Sequence, residues 1–187
     1  MPFTPFHLGF GIFLFALCPY IDAFAILIGT VFIDIEGILY MLFAIGVQHG
    51  YTHSLLGVMI YLIPCSVFSW LIYKINQKIT NREYKFNIPL SLLSSFIGLV
   101  SHIFFDGCLY PEMKILYPFS TQTGHLFGIM NNTTIVILLS SLFAAGVFIL
   151  VVKILLRYRF KKNILISYNF PLQTKSKEKE LDETPIL

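Results

Sequence analysis

Long apolar runs broken by short polar stretches dominate the chain. Residues 54–73, 86–105 and 133–152 contain no Asp, Glu, Lys or Arg. Each matches the roughly 20 apolar residues that a helix needs to cross the hydrocarbon core. A fourth run, residues 23–47, is interrupted by Asp34 and Glu36, and a fifth, residues 8–21, is short for a full span. The first helix has clear start signals: Thr4 as N-cap, Pro5 at the first helical position, and Phe3 placed to staple onto Leu8. Beyond residue 163 the chain turns polar and charged, with no periodic apolar face, and reads as a disordered tail. The pattern predicts an all-α, polytopic membrane helical bundle of about four to five helices. Residues 1–162 form the membrane domain and 163–187 the tail.

Composition agrees. The 187 residues are 56% hydrophobic and 12% charged, about half the charge of an ordinary soluble domain. The first Lys or Arg is Lys74, so residues 1–21 lack the positive n-region of a signal peptide and read as a retained helix. Cys18, Cys65 and Cys108 have no paired spacing and read as packed thiols. No internal repeat of the kind that builds many transporters is evident.

Charge distribution sets the topology. Of the 13 Lys and Arg residues, four fall in 74–85 and eight from 153 onward, with Lys114 apart. Lys and Arg collect in cytoplasmic loops, which places both basic segments and the C-terminus in the cytoplasm. Basic segments beside a membrane suit lipid headgroups. Without interleaved aromatic residues they do not suggest nucleic acid.

This topology brings every polar residue singled out as costly in a membrane to the outer half: His7, Asp34, Glu36, His49, His53, His102 and Asp106. His49 and His53 in HGYTHSLLG are four apart, as are His102 and Asp106 in SHIFFDG. On a continuous helix each pair shares one face. The second stripe continues through Gly98, Ser95 and Ser91, a line of small residues along which helices pack closely. Two such pairs, with Asp34 from a third helix and His7 from a helix start, supply the mixed nitrogen and oxygen ligands that zinc or another divalent transition metal accepts. The alternative is a set of interfacial histidines without a ligand. The carboxylates weigh against it, because an Asp within a span costs roughly 2.5–3.5 kcal/mol and few cations lie nearby. Asp34 and Glu36 face different ways on one helix unless it breaks, for which Gly37 offers a place. His125 reads as a surface residue more readily than as a further ligand, and Ser54 beside His53 makes only a weak nucleophile pair.

At these residues the chain resembles a known family. MPFTPFHLGFG, GTVFIDIEG, HGYTHSLLG, SHIFFDG and LYPFS are similar, in order, to motifs of the YdjM-type membrane-bound metal-dependent hydrolases. The resemblance implies a multi-pass inner-membrane protein whose metal site uses His7, Asp34, His53, His102 and Asp106, with His49 at a further polar position. The order of ligands is more distantly similar to zinc-dependent phospholipase C and P1-type nucleases, which suggests a phosphoester substrate. Ile33 stands where the family usually has Pro, Glu36 where it often has Asp, and His49 where Arg is common. The expected activity is hydrolysis of a lipid or envelope phosphoester, with Glu36 as general base. The alternative is a non-enzymatic protein that binds or transports a metal ion.

Overall fold

The computed structural model describes residues 4–44, 49–81 and 85–159. Phe3 and the tail, 163–187, lie outside the described residues. Among the described residues there are six α-helices: α1 (Thr4–Leu17), α2 (Ala23–Phe32), α3 (Ile35–Phe43), α4 (Leu55–Thr80), α5 (Ile88–Leu109) and α6 (Asn132–Arg159). Helices α4, α5 and α6 are each long and apolar enough to cross a membrane, and α2 with α3 forms a pair bent by 43° that passes the same test together. The expected helical membrane bundle is therefore present, with differences in its boundaries. The run over 23–47 is broken into two helices, and α4 continues seven residues past Tyr73. Helix α1 stops at Leu17, short of residue 21, because Pro19 has no N–H to donate and disfavours helix just before it.

The helix starts show how the bundle is joined. Asp22 caps α2 by accepting from the Ala25 N–H at 3.0 Å, and Asn87 caps α5 by accepting from the Leu90 N–H at 3.1 Å. Helix α4 has no side-chain cap. Its first N–H groups reach across to another segment instead, Leu55 to the Ile115 carbonyl at 2.8 Å and Leu56 to the Tyr117 carbonyl at 3.0 Å. The loop after α5 thus satisfies the donors that a helix start leaves open, and ties the start of α4 to the end of α5.

Packing along the bundle relies on small residues. A Cβ on Gly98 would lie 2.6 Å from the Ile26 carbonyl oxygen, and one on Gly29 would lie 2.7 Å from that of Ser95. Helices α2 and α5 therefore touch backbone to backbone, along the stripe of small residues expected from the sequence. Helix α1 lies on α6 in the same way, since a Cβ on Gly146 would approach the Phe13 nitrogen to 2.8 Å. The Lys153 ammonium donates to the Ala16 carbonyl, where a cation suits the open carbonyls of a helix C-terminus.

The two ends of the bundle differ. Ile33, Val58, Leu99, Ile103 and Met113 form a buried core at the start of α4 and the end of α5. Lys74 and Lys78 lie at the far end of α4 and are exposed. At that far end Asp22 is buried; it accepts from the Ser69 hydroxyl at 3.0 Å and the Tyr73 hydroxyl at 3.4 Å. Its own N–H donates to Ser94 Oγ at 2.9 Å.

Candidate metal centre

Three segments meet above the Ile33–Leu99 core. The last turns of α5 carry His102 and Asp106, the break between α2 and α3 carries Asp34, and the turn before α4 carries His53. All four are buried. Each offers one ligand atom, and the four atoms lie within 4.8 Å of one another. His102 Nε2 is 3.2 Å from Asp106 Oδ2 and 3.4 Å from Asp34 Oδ1, and His53 Nε2 is 3.6 Å from Asp34 Oδ1.

The break in the second apolar run builds part of this site. At Asp34 the backbone N–H donates to the Val31 carbonyl at 3.2 Å, one residue short of the α-helical partner, Thr30. The Thr30 carbonyl turns to His102 instead and lies 2.7 Å from its Nδ1. A carbonyl only accepts, so Nδ1 carries the proton and Nε2 faces the two carboxylates. The break falls at residues 33–34, ahead of Gly37, and it brings both Asp34 and Glu36 to His53. Glu36 Oε2 is 3.8 Å from His53 Nδ1 and accepts a hydrogen bond from the Thr52 hydroxyl.

The turn that carries His53 corrects the helical reading of HGYTH. Residues 49–54 are not helical; the His53 N–H donates to the Gly50 carbonyl at 3.2 Å. The chain folds so tightly over the first turn of α4 that a Cβ on Gly57 would sit 1.6 Å from the Thr52 carbonyl oxygen. The last glycine of HGYTHSLLG is thus the residue that lets His53 point inward. The two histidine rings still come close, edge to face at 5.3 Å.

The donor set fits a divalent metal. With bonds of about 2.0–2.1 Å, tetrahedral zinc holds its ligand atoms roughly 3.3 Å apart, near the three separations above. The Nε2 atoms of His53 and His102 are buried and make no hydrogen bond. A nitrogen lone pair facing two carboxylate oxygens needs a proton or a cation between them.

The remaining expected residues surround these four. His7 lies against Asp106, Nε2 to Oδ1 at 3.1 Å, with its ring 4.3 Å from that of His102. His49 stands apart from the four and pairs through Nδ1 with Glu112 Oε1 at 2.8 Å, its ring over that of Tyr110 at 3.9 Å. Burial pushes the His49 pKa below its usual value, against the pull of Glu112. Burial raises the Tyr110 hydroxyl to about 12. His125 is exposed, as expected. The Ser54 hydroxyl donates to the Tyr51 carbonyl, and Lys114 lies over the Tyr51 ring at 5.4 Å. Cys18, Cys65 and Cys108 are free thiols. Sequence reasoning did not find Glu112, the Thr30 carbonyl or Asp22. Asp22 had a signal, as a carboxylate just ahead of an apolar run.

Fold and site together define a polytopic helical membrane protein with a buried Asp/His cluster able to hold a metal ion. The model of the YdjM inner membrane protein family matches residues 3–167, and the chain belongs to that family. No curated protein matches the chain, and no solved structure does.

Proposed function

We propose that the protein is a membrane-embedded, zinc-dependent hydrolase that cleaves a phosphoester of a lipid or envelope molecule. The observation that carries this reading is the convergence of Asp34, His53, His102 and Asp106 from three segments into one buried set of four ligand atoms. A bound divalent ion would supply Lewis-acid polarisation of an ester oxygen and acidify a water. The chain's own residues hold that ion and fix its ligands. The Thr30 carbonyl turns His102, Glu36 stands 3.8 Å from the second nitrogen of His53, and His7 holds the second oxygen of Asp106. Partners that set ligand geometry in this way tune metal affinity strongly. On this reading Glu36 aligns a ligand, a role that its contacts favour over the general base expected from sequence.

With the Lys and Arg clusters taken as cytoplasmic, the Asp/His cluster lies towards the outer side and the C-terminus inside. Membrane lipids are then the neighbours at hand, and nucleic acid has no place in the reading. The distant likeness to phospholipase C and P1-type nucleases suggests the phosphoester. The backbone contact at Gly29 and Gly98 lies between the cluster and the far end of the bundle, and it favours the hydrolase over metal transport between α2 and α5.

Elemental analysis of detergent-purified protein tests the proposal. Wild type should carry near-stoichiometric zinc or manganese, and His53→Ala and Asp106→Ala should each lose it while still inserting into the membrane. A well-folded wild type that takes up no metal when zinc is offered would overturn the reading.

A further inference from the structure

Hydrolysis needs a group to take a proton from the attacking water and return it to the leaving oxygen. The four proposed ligands are committed to the ion, and Glu36 is engaged by Thr52 and His53. Among the described residues, His7 is held against Asp106, and the His49–Glu112 pair beside the cluster touches none of the four proposed ligands through its hydrogen bond. The His49 side chain is only 3% exposed, whereas Glu112 is 55% exposed. His49 Nδ1 points out to Glu112, so Nε2, on the opposite edge of the ring, points into the molecule. That Nε2 is buried and makes no hydrogen bond. The Tyr110 ring supports one face of the imidazole, and His53 stands 5.3 Å away.

We infer that His49 is the general base and acid of the proposed hydrolase, and that Glu112 is its positioning residue. The inference rests on the hydrolase reading above. His49 Nε2 accepts one proton from the attacking water as its oxygen forms a bond to phosphorus. The ester P–O bond breaks, and the same proton passes from Nε2 to the departing alkoxide. Water and a phosphodiester thus give a phosphomonoester and an alcohol. Glu112 accepts the Nδ1–H hydrogen bond throughout, which fixes the tautomer and stabilises the ring while it is charged. A carboxylate behind a histidine whose other nitrogen faces the reaction serves this purpose on unrelated folds.

The test compares zinc content and hydrolysis of bis-p-nitrophenyl phosphate in the full-length protein. His49→Gly should hold as much zinc as wild type, cleave the ester about 100-fold more slowly, and recover part of the rate when imidazole is added. Glu112 is exposed and easily replaced, which gives a second set of variants with little risk to folding. Glu112→Gln should slow cleavage without loss of zinc, and Glu112→Asp, which keeps the carboxylate, should slow it less. Loss of zinc from His49→Gly, as from Asp106→Ala, would make His49 a ligand and overturn the inference. So would a wild-type rate, or a slow rate that imidazole does not restore. A wild type that holds zinc and cleaves no phosphoester would instead remove the hydrolase reading, and this inference with it.

Discussion

Thr30 and Glu36 contribute no atom to the four-residue cluster, yet the Thr30 carbonyl fixes which edge of His102 faces it, and Glu36 Oε2 stands 3.8 Å from His53 Nδ1. The Glu36 role can be tested apart from any reaction. Glu36→Gln keeps the shape and the Thr52 contact but removes the charge beside His53 Nδ1. Its zinc affinity, measured by competition with a chelator, should fall about 10- to 100-fold, with thermal stability little changed. At this scale legibility followed periodicity. His102 and Asp106 could be paired from sequence because they lie on a regular helix, where a spacing of four means one face. The same spacing in HGYTH led to a helix that is not there, because the backbone turns at Gly50 and folds over Gly57. The Thr30 carbonyl left no trace in the sequence, since every residue has one. Glu112 sits in an irregular loop, where spacing carries no direction.

Among the helices, apolar runs located the starts of the three long spans within two residues. Helices α4 and α6 each continue seven residues past the predicted end into polar sequence, because hydrocarbon thickness sets the apolar stretch and not the helix end. The break between α2 and α3 was harder to place. No Pro or Gly stands at 33–34, and Asp34 and Glu36 mark a polar interruption without saying where the backbone bends. The close crossing of α2 and α5 was legible as a stripe of small residues, and its tightness gives a prediction. In Gly98→Ala the new Cβ meets backbone, the Ile26 oxygen at 2.6 Å and Gly29 atoms at 3.0 Å, which cannot rotate away. Overpacking of this kind costs about 1–3 kcal/mol. A thermal melt in detergent should show the loss, and an unchanged midpoint would mean that the two helices are not in contact.

For the molecule as a whole, charge and chemistry separate along the bundle axis. Lys74 and Lys78 lie at one end and the Asp/His cluster at the other, the polarity inferred from Lys and Arg positions alone. The orientation predicts that a reporter fused after Asn131 is active on the outer side; activity only in the cytoplasm would turn the molecule over. The same axis holds two buried carboxylate centres, Asp22 and Asp34, separated by the ten residues of α2, or about 15 Å. Between them the α2 and α5 backbones touch at Gly29 and Gly98. The two carboxylate centres are therefore separate polar sites, with packed α2 and α5 backbone between them.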